Sequence, residues 1–286
     1  MPHTRRDFVT LSAVAAASAA ISGGAATALA AAEAGQVAGG AKPRVGFDLG
    51  MASYTLRSFP VDQAIAMTAR LRLKKITLKD MHLPMAVTPE EMAAVREKLK
   101  AAGVELSSCG VIYMTTEDEV RKGFAYAKLA GISMMVGVPS APLIDLTEQM
   151  VKETGIAIAF HNHGPTDQRY PTPESAYRLI EKRDKRMGLC IDVGHTQRHG
   201  LDPSVEVERF ADRLLDVHMK DVSSATADGT TVEIGSGVID VPKLLRTLVK
   251  IGYARTLHFE HEKDAKDPFP GVCESVGYVR GVLAAL

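Results

Sequence analysis

Three stretches of the chain are variants of one turn: Lys100-Ala101-Ala102-Gly103-Val104, Lys128-Leu129-Ala130-Gly131-Ile132 and Lys152-Glu153-Thr154-Gly155-Ile156. In each, an amphipathic stretch ends near a Lys, a Gly follows, and a β-branched run begins. Gly closes helices in the left-handed region because it has no Cβ to clash there. Gly252 holds the same place late in the chain. A turn that recurs about every 25 residues implies repeated passages from helix to strand, and strands fed in this way pair in parallel.

With that turn as punctuation, the chain divides into eight strand–helix units. Strands are expected at 44–49, 75–79, 104–112, 132–138, 156–160, 187–191, 214–219 and 256–259. Helices are expected at 61–73, 117–130, 143–154, 173–182, 203–210, 241–250 and 273–283, with one more opened by the N-cap Thr88 and Pro89. Eight such units in about 240 residues is the count of a single-domain (β/α)8 TIM barrel, an α/β fold. The alternative is an open doubly wound sheet. No G-x-G-x-x-G follows the first strand, so a dinucleotide is not indicated.

Composition narrows the partners. Of 286 residues, 34 are Lys or Arg and 34 are Asp or Glu, a balance that argues against a nucleic-acid partner. The body has no apolar run near the ~20 residues that span a bilayer. Cys109, Cys190 and Cys273 are too few and too far apart for a disulfide framework. The first two lie in strand-like runs and read as small buried hydrophobes. At the start, Arg5-Arg6 precedes an Ala-rich apolar stretch and then Ala28-Leu29-Ala30. These features resemble a bacterial twin-arginine signal peptide. The resemblance implies an export signal over residues 1–30, a flexible leader over 31–43 and the barrel over 44–286. It also implies a periplasmic or secreted mature protein, with no membrane attachment after cleavage.

In a TIM barrel the chemistry sits where strands end. Here the second strand ends Lys79-Asp80-Met81-His82, the fifth His161-Asn162-His163, the sixth Asp192-Val193-Gly194-His195, the seventh His218-Met219-Lys220 and the eighth Glu260-His261-Glu262. Five of the nine His fall in the last four of these segments, and a sixth, His258, lies two residues before the eighth. Side chains alternate along a strand, so His161 and His163 share a side, as do His218 and Lys220, and Glu260 and Glu262. Imidazoles and carboxylates converging from four adjacent strands suit one divalent ion such as Mn, Zn or Co. Alternation alone leaves His161 against His163, and Glu260 against Glu262, open as ligands.

The segments G-L-C-I-D-V-G-H, V-H-M-K-D and F-E-H-E, with G-S-G-V-I-D-V-P-K-L-L between the last two, resemble the xylose isomerase-like superfamily of sugar isomerases and epimerases, which also contains endonuclease IV. The resemblance covers about residues 44–284. It implies one divalent metal, Mn first with Zn, Co or Mg as alternatives, held by His161, Asp192, His218 and Glu260. The departure is His161, where the related epimerases carry a catalytic glutamate. The resemblance also implies His195 as a contact to a substrate hydroxyl and Lys220 at the oxygen that becomes an oxyanion. Lys79, His82, Arg198 and Glu262 are further substrate-binding candidates.

These residues imply a metal-dependent isomerase or epimerase acting on a small sugar or glycoside. Glu260 would serve as ligand and base, His163 as a second acid/base, and Lys220 as the oxyanion partner. One alternative is a periplasmic lyase that eliminates the aglycone from 3-keto-glycosides. Another is a sugar-binding barrel without catalysis, kept open by His161. A nuclease is opposed by the zero charge balance. No basic Gly-rich loop near strands seven and eight suggests a phosphate site. Assembly into a homo-oligomer is left open by the sequence.

Overall fold

The computed structural model describes residues 45–286, so the expected signal peptide, the whole expected leader and Arg44 lie outside the described residues. The strands are β1 (Asp48–Ala52), β2 (Lys75–Leu78), β3 (Glu105–Cys109), β4 (Ile112–Met114), β5 (Met134–Pro139), β6 (Ala157–His161), β7 (Met187–Asp192), β8 (Leu214–Met219), β9 (Asp221–Val222), β10 (Thr231–Val232) and β11 (Thr256–Phe259). Nine of them form one parallel sheet in the order β3-β2-β1-β11-β8-β7-β6-β5-β4. Its two outer strands, β3 and β4, follow one another in the chain across Gly110-Val111. Together they are the third barrel strand, with one half paired to β2 and the other to β5. The sheet thereby curls into a TIM barrel of eight strand positions. β9 and β10 form a separate antiparallel ladder.

The helices are α1 (Val61–Arg70), α2 (Pro89–Ala102), α3 (Glu117–Ala130), α4 (Ile144–Thr154), α5 (Pro173–Ile180), α6 (Val193–Arg198), α7 (Pro203–Arg209), α8 (Val241–Lys250) and α9 (Phe269–Ala285). Thr88, Thr116 and Thr172 each accept a backbone N–H of the first turn and close a capping box. Gly103, Gly131 and Gly155 end α2, α3 and α4 with φ of 64°, 67° and 75°. The repeated turn is therefore the helix stop that the sequence implied. β5, β6, β7, β8 and β11 are buried along their whole length, as expected of parallel strands covered by helices.

Three details differ from the sequence reading. β1 begins at Asp48, four residues later than expected, and within it Gly50 lies against the His258 ring, where a Cβ would fall 2.6 Å away. The third strand is interrupted at Gly110, whose φ is 132° and whose Cβ would fall 2.1 Å from the Val136 carbonyl. A short helix, α6, follows β7 directly and was not foreseen. Cys109 and Cys190 are buried free thiols and Cys273 is exposed.

Candidate metal centre

His161 and Asp192 end β6 and β7, His218 lies on β8, and Glu260 follows β11. The parallel ladder sets Asp192 beside His218, and His218 beside His258 two residues before Glu260. Neighbouring strand ends thus stand at one height. All four side chains are buried, and one donor atom from each lies within 4.8 Å of the others. His161 Nε2 is 3.1 Å from His218 Nδ1 and 3.7 Å from Asp192 Oδ2. His218 Nδ1 is 3.3 Å from Glu260 Oε2. His163 stands outside this foursome, with its ring centroid 4.4 Å from that of His161.

Local structure fixes Asp192. Its Oδ1 caps α6 by accepting the His195 N–H at 2.8 Å, which leaves Oδ2 for the group. Its own N–H donates to Asn162 Oδ1 at 3.0 Å, and its carbonyl accepts from Thr196 Oγ1 at 2.7 Å. The unforeseen helix α6 is thus what orients a ligand candidate.

Lys220 completes the cluster. Its buried ammonium lies 2.9 Å from both Asp192 Oδ2 and Glu260 Oε2, and it pairs with Glu262 as well. Gly194 leaves room for its aliphatic stem, since a Cβ there would fall 2.3 Å from Lys220 Cγ. Burial alone would lower the lysine's pKa, but Asp192, Glu260 and Glu262 outweigh it and hold the ammonium well above its usual value. Burial alone would raise Asp192 and Glu260. For Asp192, His195 and Lys220 prevail; for Glu260, Lys220 and His218 do. Both carboxyls stay below the usual range.

The imidazoles split. Burial lowers His161, whereas the carboxylates of Glu260 and Asp216 overcome burial and raise His218. A field that draws a proton to His218 also draws a cation. Three carboxylates and one ammonium leave two negative charges when the imidazoles are neutral. Two nitrogens, two carboxylate oxygens and that charge fit one divalent ion of the Mn, Co or Zn kind. The buried Cys190 thiol is held far above its usual pKa, first by burial, and stays protonated.

Above the centre opens a cleft of about 810 Å³. His163, His195, Arg198 and Glu262 line it, as do Tyr113, Asp167 and Arg169, which the sequence reading missed. The Tyr113 hydroxyl lies 3.0 Å from His163 Nε2 and donates to Asp167 Oδ2 at 2.9 Å. Burial and the neighbouring His161 push His163 down to about 3, so its ring is neutral. Two candidates stand apart from cleft and centre. Lys79 sets its ammonium over the Tyr54 ring, 4.5 Å from the centroid. His82 turns inward, with Nδ1 on Ser53 Oγ at 3.0 Å and Nε2 on the Phe59 carbonyl at 3.0 Å. The loop after β2 folds back on the barrel rim, so the polar end of β2 anchors that loop and does not face the cleft.

Comparison with known proteins agrees with this architecture. The family described as xylose isomerase-like TIM barrel matches residues 143–280, a span that holds all four ligand candidates. Rhizopine catabolism protein MocC of Rhizobium meliloti is 33% identical over 151 residues, covering 48% of this chain and 46% of that protein. Inosose dehydratase of Lacticaseibacillus casei is 28% identical over 150 residues, covering 46% of this chain and 50% of that protein. The chain thus spans about half the length of the curated relatives it matches. Among solved structures, L-ribulose 3-epimerase superposes with a TM-score of 0.68 at 14% identity, over 83% of this chain and 95% of that one. A xylose isomerase domain protein from Planctomyces limnophilus gives 0.66 at 16% identity, over 84% and 99%. Identities this low speak for the fold alone, a (β/α)8 TIM barrel.

Proposed function

We propose that the chain is a divalent-metal-dependent lyase that eliminates water or an aglycone from a keto sugar, keto-inositol or 3-keto-glycoside. The observation that carries this is the one-sided placing of its carboxylates. Asp192, Glu260 and Glu262 all close on the single ammonium of Lys220, while β6 contributes His161 where an epimerase would need a second carboxylate. Inverting a carbon with two bases requires one on each face. Elimination requires one base, which can return the proton it takes to the departing oxygen. The sequence likeness to inosose dehydratase supports the same choice.

The residues divide the work as follows. His161, Asp192, His218 and Glu260 would hold the ion, which supplies the Lewis acidity that loosens the C–H next to a chelated carbonyl. Glu262 lines the cleft, where Glu260 is nearly closed off, so Glu262 takes that proton. The C–H electron pair becomes the new C=C bond as the β C–O bond breaks. The proton then passes from Glu262 to the leaving oxygen, releasing water or an alcohol. The Lys220 ammonium, closed off from the cleft, holds Glu260 and Glu262 in place from behind. Tyr113, held by His163 and Asp167, gives an aromatic wall at the mouth for a ring or aglycone. The twin-arginine start fits a protein that meets glycosides outside the cytoplasm.

The second reading is the isomerase or epimerase that the superfamily resemblance implies, with His163 or His195 as the opposing base. The test is to incubate Mn-loaded protein with inosose and with 3-keto-glycosides in heavy water. A conjugated enone absorbing in the ultraviolet, with released water or aglycone, is the expected result. Inverted, deuterated starting sugar without elimination would replace the lyase with an epimerase. No exchange and no elimination from any of these compounds would leave a binding barrel.

A further inference from the structure

Beneath the metal group lies a second layer of polar side chains that no step above uses. Asp216 and His258 are fully buried, two residues before His218 and Glu260 on β8 and β11. Residues two apart on a strand face the same side, so this pair backs directly onto the ligand candidates. His258 Nδ1 is 2.7 Å from Asp216 Oδ1. A carboxylate oxygen only accepts, so His258 donates from Nδ1. Its Nε2 meets the Ser107 hydroxyl at 2.8 Å. Asp216 Oδ1 also accepts the Val217 N–H at 2.9 Å.

That arrangement leaves Asp216 Oδ2 over. It is buried without a hydrogen-bond partner, and so is His218 Nε2. The two atoms stand 3.8 Å apart, and among the described residues no hydrogen bond serves either one. Unpaired polar atoms in a dry interior are costly, and a small tilt of the ring satisfies both. Nδ1 of His218 also lies 3.3 Å from Glu260 Oε2, but that oxygen already takes the Lys220 ammonium at 2.9 Å, whereas Asp216 Oδ2 has no donor. The pairing that serves every group puts the hydrogen on Nε2 of His218 and lets Nδ1 accept from His161. The lone pair available to a cation is then on Nδ1, the nitrogen that faces His161 and Glu260.

We propose that Asp216, held by His258, is a positioning residue that fixes His218 as the Nε2–H tautomer and keeps its Nδ1 lone pair aimed into the metal centre. The proposal rests on the metal-centre reading above. Two other uses of the layer fail on geometry. A second metal at Asp216, His218 and His258 would have to break hydrogen bonds already made by both His258 nitrogens. A Ser–His–Asp hydrolase reading of Ser107, His258 and Asp216 fails because no substrate reaches His258: its ring is fully buried against Gly50.

The test uses the full chain, metal-free and at alkaline pH. Nitrogen-15 NMR reads the His218 tautomer, with the signal assigned by its loss in His218→Asn. Competition against a chelating dye gives the Mn2+ affinity of wild type, Asp216→Asn and Ser107→Ala. In Asp216→Asn the amide oxygen can still accept from His258, so its NH2 faces His218 Nε2 and favours the opposite tautomer. We expect Nε2–H in the wild type, Nδ1–H in Asp216→Asn, and Mn2+ binding weakened 10–100-fold in that variant. Ser107→Ala should keep the tautomer and lose less affinity. A wild type with Nδ1–H would overturn the proposal even if Asp216→Asn failed to fold. So would Asp216→Asn with wild-type tautomer and affinity. A wild type that shows Nε2–H but binds no Mn2+ would instead overturn the metal reading on which the proposal rests.

Discussion

Replacing Lys220 with Met removes the ammonium on which three carboxylates converge. In the wild type that ammonium is 2.9 Å from Asp192 Oδ2 and from Glu260 Oε2 and also pairs with Glu262; Lys220, Asp192 and Glu260 are all buried. Stranding buried charges in this way costs about 3–5 kcal/mol. For a barrel of this size each kcal/mol moves Tm by about 2–4 °C, so metal-free protein should melt ~6–20 °C lower. The same change deepens the local charge from two negatives to three, which attracts a divalent cation more strongly. Saturating Mn2+ should therefore raise the Tm of Lys220→Met by more than it raises that of the wild type. The assay is scanning calorimetry of both proteins, with chelator and with excess Mn2+. An equal fall in Tm under both conditions would refute the reasoning, because it would mean that the lysine and the cation do not share one field. No fall at all would refute the buried ion-pair cluster itself.

Other outcomes follow from the same geometry. Glu262→Gln should lower turnover by about 10²–10⁴ while metal content is unchanged, whereas Glu260→Gln should lose metal and turnover together; elemental analysis beside the enone assay separates them. Glu206 is buried with Oε2 unpartnered, and burial raises its carboxyl pKa. The folded state therefore holds this proton more tightly than the unfolded chain, and its contribution to stability falls as pH rises above the unfolded carboxyl value. Glu206→Gln should be more stable than wild type at neutral pH and lose that advantage in acid, as read by urea denaturation across pH. Gly155→Ala forces a Cβ into a left-handed helix stop with φ of 75° and should cost about 1–2 kcal/mol in the same assay.

The parts of this molecule that could be read from sequence are those set by local chemistry. The Lys-x-x-Gly turns demand positive φ, and the capping Thr residues demand a first turn, so most helix ends could be placed from the sequence. The interruption at Gly110 could not, because it answers to the Val136 carbonyl on a neighbouring strand. Helix α6 was missed because Val193–Arg198 is too short for periodicity to show, though Asp192 is a good N-cap. At the site, alternation singled out His218 with Lys220 and Glu260 with Glu262. Carried two residues back, the same rule would have found Asp216 and His258. Tyr113 comes from β4, Asp167 and Arg169 from the loop after β6, and they meet only when the barrel closes, so no spacing marks them. His82 misled because a polar strand end signals the rim but not which way the following loop turns.

Bound metal per chain tests the central claim most directly, on protein produced natively and kept from chelators and nickel resin, with His161→Ala and Asp192→Ala measured alongside. The account predicts about one divalent ion per wild-type chain, Mn, Zn or Co, and its loss in both variants while the barrel stays folded. A folded wild type with no metal, taking up none when it is added, would contradict it.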